Sequence, residues 1–163
     1  DYIVDDRGQT RVLVGSISEN DVIDFVRSPD IMIGSDGNSV APFGVTGQGR
    51  PHPRFYGTFP RVLGQYSREQ GVLPLHEAVW KMTGASAKAL GLRNRGLIRE
   101  GYAADITIFD PNTVGELATY EDPHKFATGI VQVIVNGKTV LRDDEHTGTL
   151  AGRILRRQTD FII

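Results

Sequence analysis

The chain has 163 residues, with 18 Lys plus Arg against 20 Asp plus Glu, 19 Gly, 8 Pro, no Cys and 39% apolar residues. A net charge of -2 excludes the broad positive field of a non-specific nucleic-acid binder. The lack of Cys excludes a disulfide scaffold, thiolate-held zinc and thiol catalysis. No run reaches the roughly 20 apolar residues of a membrane span, so neither nucleic acid nor a membrane is an expected partner and the cytoplasm is the default setting. The acidic opening Asp1-Tyr2-Ile3-Val4-Asp5-Asp6 is no signal peptide. It lacks Met, as the interior of a longer protein would.

Arg11-Val12-Leu13-Val14-Gly15 has the apolar run of a short strand. Ser18-Glu19-Asn20-Asp21 then sets a hydroxyl three residues before a carboxylate, a capping-box pattern that starts a helix carrying Val22, Ile23, Phe25 and Val26 and stopped by Pro29. Ile31-Met32-Ile33 reads as a strand buried on both faces, and strand, helix, strand in succession suggests a βα repeat. From Gly37 to Pro60 there are five Gly and four Pro, and a loop this long is functional or disordered. Helices are predicted over Pro60–Gln70 and over roughly Leu75–Leu90, the second broken at Gly84 and closed by Gly91. Beyond Leu92 the chain turns to β. Asp105–Pro111 and Ile130–Val135 are rich in β-branched residues, and Asn136-Gly137 signals a type I′ hairpin that sets Val135 opposite Lys138 and Val133 opposite Val140.

Asp36, in Gly34-Ser35-Asp36-Gly37, directly follows the apolar triplet. In a βα barrel the C-terminal strand ends form the active-site face, where a carboxylate binds a metal or moves a proton; a turn residue between glycines is the plainer alternative. Arg54, in Pro51-His52-Pro53-Arg54, offers a planar fork to a carboxylate or phosphate on a backbone stiffened by two prolines, or else a solvated surface charge. His52, His76, His124 and His146 show no metal-binding spacing. His76, His124 and His146 read as structural or exposed.

Taken together, several segments resemble the N-acyl-D-amino-acid deacylases, or D-aminoacylases, of the amidohydrolase superfamily. They are Ile33-Gly34-Ser35-Asp36-Gly37, His52-Pro53-Arg54, Gly57-Thr58-Phe59-Pro60-Arg61-Val62-Leu63-Gly64, Ser67-Arg68-Glu69 and Lys81-Met82-Thr83-Gly84. The match continues through Gly96-Leu97-Ile98-Arg99-Glu100-Gly101-Tyr102-Ala103-Ala104-Asp105, Tyr120-Glu121-Asp122-Pro123-His124 and Val135-Asn136-Gly137. The helix leading into Gly-Leu-Ile-Arg-Glu-Gly is common to many amidohydrolases, whereas the Gly-Thr-Phe-Pro-Arg and His-Pro-Arg segments point more narrowly to the deacylases.

The resemblance implies an α/β plus β architecture. Residues 1–91 would be the C-terminal part of a metal-dependent hydrolase (β/α)8 barrel, and 92–163 the C-terminal part of a small β-sandwich. It implies cleavage of the amide bond of N-acyl-D-amino acids, with zinc as cofactor. Asp36 would be the general base beside the metal and a metal contact in its own right, and Arg54 would hold the substrate carboxylate. The family's Cys and His ligands lie upstream and have no counterpart here, so the chain alone is expected to be inert until joined by the N-terminal part of the same enzyme. The stretch between Asp36 and His52 is longer than the family's usual loop. Two other readings are a dihydroorotase-like or hydantoinase-like cyclic amide hydrolase, and a non-catalytic assembly or binding module.

Overall fold

In the computed structural model, residues 2–5 and 14–156 are described. The helical elements are α1 (Tyr2–Asp5), α2 (Glu19–Arg27), a 3-10 turn (Gly44–Gly47), α3 (Arg54–Arg61) running into a π-helical stretch (Val62–Glu69), α4 (Leu75–Met82) and α5 (Gly84–Leu90). The strands are β1 (Ile106–Phe109), β2 (Ile130–Val135), β3 (Lys138–Arg142) and β4 (Glu145–His146).

The capping box forms as the sequence predicts: Ser18 Oγ accepts from the Asp21 N–H at 3.2 Å, and Asp21 Oδ2 accepts from the Ser18 N–H at 3.1 Å. Two helix-end donors are thereby satisfied, and the bonds from Ser18 hold the Asp21 carboxyl below its ordinary pKa. At the other end of α2 the carbonyls of Val26 and Ser28 accept from Lys81 Nζ, the Val26 bond at 2.6 Å. Lys81 is 2% exposed. Its ammonium fills the place where a helix C-terminus leaves carbonyls without partners.

The predicted strand at Ile31–Ile33 does not form. This stretch lacks a ladder partner among the described residues, and its amide contact runs instead from the Ile33 N–H to the Lys81 carbonyl of α4, at 3.4 Å. Nor is the triplet buried on both faces: Ile31 and Ile33 are half-buried and Met32 is exposed, and a strand needs a neighbour to bond. The earlier predicted strand at Arg11–Gly15 lies outside the described residues except for Val14 and Gly15, which are irregular.

The helix predicted from Pro60 starts six residues earlier, at Arg54. Pro60 sits inside it, where its ring removes an N–H, and the chain passes directly into the π-helical turns. Gly57 and Gly64, seven apart, bring this helix against the segment 114–116: a Cβ on Gly57 would lie 2.8 Å from Glu116 Cβ, and one on Gly64 2.6 Å from the Val114 carbonyl. The long helix predicted over Leu75–Leu90 breaks at Thr83 (φ -128°, ψ -90°), one residue before the Gly84 that the sequence suggested.

The β elements form one antiparallel meander, in the order β1-β2-β3-β4, among the described residues. Asn136 (φ 49°) and Gly137 (φ 79°) make the predicted tight turn. Val135 pairs with Lys138 as expected, but Val133 pairs with Leu141 and not Val140. The irregularity between Val133 and Ile134 inserts one extra residue on β3, which is what a bulge does to a register. Val114, on the connection between β1 and β2, is fully buried with Val26, Val62, Leu63, Tyr66, Leu73 and Ala78, and Phe109 and Ile130 of the sheet pack on this cluster. Helices and sheet therefore share one core.

Candidate active site

Asp36 stands in the left-handed region (φ 48°), between Ser35, whose Oγ accepts from the Gly37 N–H at 3.2 Å, and Gly37. Arg54 is the first residue of α3. Although 18 positions apart, the two meet: Arg54 Nη2 lies 2.8 Å from Asp36 Oδ2, and Arg54 Nε donates to the Asp36 carbonyl at 3.0 Å. The Asp36 side chain is 87% exposed and that of Arg54 39%. The contact joins the two candidate site residues, and it leaves guanidinium N–H groups that Asp36 does not occupy.

What holds Arg54 in place is a set of ring contacts that the sequence reading passed over. His52 Nδ1 accepts from the Arg54 backbone N–H at 3.0 Å, one of the helix-end amides that need an outside acceptor. That nitrogen must be unprotonated, so Nε2 carries the hydrogen and donates to Tyr120 Oη at 3.0 Å. The rings meet edge to face, 5.0 Å between centroids. His124 is likewise bound at both nitrogens: Nε2 donates to the Gly49 carbonyl at 3.0 Å, and Nδ1 hydrogen-bonds with Tyr56 Oη at 2.9 Å. Tyr56 also packs edge to face on Phe126.

Burial, with Arg54 and Arg61 nearby, pushes the His52 pKa below 6.5 against a smaller opposing pull from Asp36, so the neutral ring is favoured. Arg61 sits between Glu19 (3.5 Å) and Glu116 (3.2 Å) and stacks over the Tyr66 ring. Burial raises the Glu116 carboxyl above its ordinary pKa despite Arg61.

A concavity of about 510 Å³ lies between the helices and the sheet and is lined by Phe59, Trp80, Leu97 and Phe109 among others. Its carboxylate, Asp105, is held by Arg95 and by the Asn136 N–H. Neither Asp36 nor Arg54 lines it. The cavity is apolar, and Asp105 is held at both oxygens and 33% exposed, whereas Asp36 meets Arg54 through Oδ2 and is 87% exposed, so the Asp36–Arg54 pair is the better candidate for chemistry.

A family model described as "Amidohydrolase family" matches residues 24–141. The chain belongs to the amidohydrolase family. A D-aminoacylase from Alcaligenes xylosoxydans xylosoxydans is 48% identical over 141 residues, 86% of this chain and 28% of that protein. A solved structure of a D-aminoacylase with a binuclear metal centre superposes with a TM-score of 0.79 at 49% identity, covering 86% of this chain and 28% of the other. An N-acyl-D-glutamate deacylase from Bordetella bronchiseptica, solved with zinc and a phosphonate mimic of the tetrahedral intermediate, gives 0.71 at 38% identity, covering 79% of this chain and 26% of the other. The resemblance to N-acyl-D-amino-acid deacylases is thus borne out. This amidohydrolase chain spans little more than a quarter of the length of the relatives it matches.

One signal in the amidohydrolase sequence points to the ring contacts. Tyr120-Glu121-Asp122-Pro123-His124 was already part of the resemblance, and each of its aromatic ends meets the loop that carries Arg54. Of the two readings expected for His124, structural or exposed, the structural one holds: it is half-buried and engaged at both nitrogens.

Proposed function

We propose that this chain supplies the proton-transferring carboxylate and the substrate-carboxylate clamp of a hydrolase that cleaves N-acyl-D-amino acids to a carboxylic acid and a free D-amino acid. The observation that carries the reading is the pairing of Asp36 with Arg54 at 2.8 Å. A carboxylate acts beside the scissile amide while a guanidinium a few ångströms away holds the substrate's own carboxylate. Asp36 takes the proton of the attacking water and returns one to the departing amine, whose nitrogen must be protonated to leave. Arg54 keeps one edge on Asp36 and offers its remaining N–H groups to the substrate carboxylate.

Zinc is the proposed cofactor, as a Lewis acid that activates water in such hydrolases. Among the described residues no three His, Cys, Asp or Glu side chains converge as a metal site, and tight zinc sites use at least three protein donors. The described residues therefore do not by themselves fit zinc. Asp36 would add a single oxygen to donors from elsewhere in the enzyme, so the steps above are confined to Asp36 and Arg54. By the same reading, residues 1–91 belong to the end of a (β/α)8 barrel and 92–163 to a β-sandwich, the N-terminal part of the enzyme is the obligate partner, and the setting is the cytoplasm. Among the described residues no helix is long and apolar enough to cross a membrane.

The test is hydrolysis of N-acetyl-D- and N-acetyl-L-amino acids by the intact enzyme that carries this chain. Asp36→Asn should lower kcat by about 10²- to 10⁴-fold with KM little changed. Arg54→Lys should chiefly raise KM, because an ammonium cannot reproduce the two-pronged contact. Wild-type turnover in Asp36→Asn would remove Asp36 as the base.

A further inference from the structure

We infer that the segment Tyr120–His124 is a positioning clasp for Arg54: two histidines and two tyrosines fix the loop 49–56, and through it the guanidinium that faces Asp36. The inference rests on the substrate role proposed for Arg54. Its support is the geometry of four side chains, none of which needs to touch substrate.

His52 Nδ1 takes the first amide of α3, that of Arg54 itself, while its other nitrogen donates to Tyr120. The bond from a side chain to the amide two residues on is the one an Asn or Asp makes in an Asx turn. Here an imidazole makes it, and the second ring nitrogen lets the turn be tied to a distant part of the chain. His124 performs the second tie: it donates to the Gly49 carbonyl at the start of the loop and hydrogen-bonds with Tyr56 on α3, so one ring spans both sides of Arg54. The 119–125 turn is itself braced, with the Thr119 N–H on the Asp122 carbonyl (3.1 Å), the Asp122 N–H on Thr119 Oγ1 (3.0 Å), and Lys125 on Asp122 (2.8 Å). Pro123 between the two aromatic ends is buried. The Arg54 amide fixes His52 as the Nε2–H tautomer, and the Gly49 carbonyl requires a hydrogen on Nε2 of His124. A guanidinium held this way is set in place before substrate arrives, and pre-set geometry is what a carboxylate clamp needs.

The test uses the intact enzyme with Tyr120→Phe, Tyr56→Phe, His52→Asn and His52→Phe, conservative changes that remove a hydroxyl or a ring nitrogen. Two readouts are followed: hydrogen exchange at the Arg54 amide by fragmentation mass spectrometry, and kcat and KM for an N-acetyl-D-amino acid. We expect Tyr120→Phe and Tyr56→Phe to raise KM about three- to tenfold with kcat changed less than twofold. The same changes placed on Arg54→Lys should add little, because residues acting as one unit are not additive. His52→Phe should speed Arg54 amide exchange, and His52→Asn, which keeps an acceptor for that amide, should restore slow exchange. The inference is overturned if the tyrosine variants leave KM unchanged while Arg54→Lys raises it, or if their effects add fully to that of Arg54→Lys. If Arg54→Lys itself leaves KM unchanged, the substrate role of Arg54 fails, and exchange at the Arg54 amide then decides alone whether the clasp exists.

Discussion

His52 shows how one side chain can make a site depend on pH. In the folded protein its pKa lies below 6.5, first because burial disfavours the cation and then because Arg54 and Arg61 repel it, with Asp36 as the opposing neighbour. Its Nδ1 can accept from the Arg54 amide only while unprotonated. The sign follows from linkage: as pH falls below 6.5 the unfolded chain takes up the proton before the folded one, so stability from this residue is lost on the acidic side and is complete above it. Urea midpoints measured between pH 7.5 and 5.5 should fall more in the wild type than in His52→Asn, which has no proton to gain. Equal slopes would show that His52 is not held neutral. Lys81 is the opposite case, a buried charge that works as a cap. Lys81→Met keeps the stem but leaves the Val26 and Ser28 carbonyls without their donor, a loss of about 2 kcal/mol by the usual worth of a charged hydrogen bond. A urea midpoint for Lys81→Met equal to that of the wild type would show that water satisfies these carbonyls as well as the ammonium does.

At the scale of elements, the helix from Arg54 to Glu69 is where a motif becomes packing. Gly57 and Gly64 fall in the Gly-Thr-Phe-Pro-Arg-Val-Leu-Gly segment, and each admits the 114–116 backbone or the Glu116 side chain to within contact distance of the helix. Gly57→Ala and Gly64→Ala should each cost about 1 to 3 kcal/mol through forced shifts of that segment. Because Glu116 pairs with Arg61, Gly57→Ala should also disturb that ion pair. Thermal denaturation of both variants checks this, and unchanged midpoints would mean the segment moves aside freely. Sequence reading identified this motif but placed the helix start at Pro60, because Gly and Pro around His52 concealed a helix whose first amides are satisfied by a histidine and by the His52 and Pro53 carbonyls. The capping box and the Asn-Gly hairpin were legible because both are local, three- and two-residue devices. The Val133 register was not, since a bulge is set by the partner strand and has no local signature. The strand expected at Ile31–Ile33 failed for a related reason: both the burial and the ladder partner of an apolar triplet depend on neighbours that the triplet does not specify, and Met32 is exposed.

For the whole molecule, the sequence offers Asp36 and Arg54 as candidates but does not show how they are assembled. Asp36 and Arg54 could be picked out from residue type and resemblance, yet nothing in the sequence states that a loop of 17 intervening residues folds back to set them 2.8 Å apart, or that a turn nearly 70 residues further on holds the loop there. Long-range contacts of this kind depend on the shared core, in which Val114 ties the connection between β1 and β2 to the helices. The same view gives a prediction about metal. The described residues bring one site carboxylate, Asp36, and no cluster of three donors, so the 163-residue chain on its own should retain far less than one equivalent of zinc after dialysis and should not release D-amino acid from N-acetyl-D-amino acids. Mixed or fused with the upstream segment of the same enzyme, it should gain both together, and Asp36→Asn should abolish turnover while leaving most of the zinc in place, since one oxygen among several donors contributes a minority of the affinity. Stoichiometric zinc in the isolated chain would mean that its own residues build a metal site. Loss of all zinc in Asp36→Asn would recast Asp36 as a principal ligand, with its work as a base secondary.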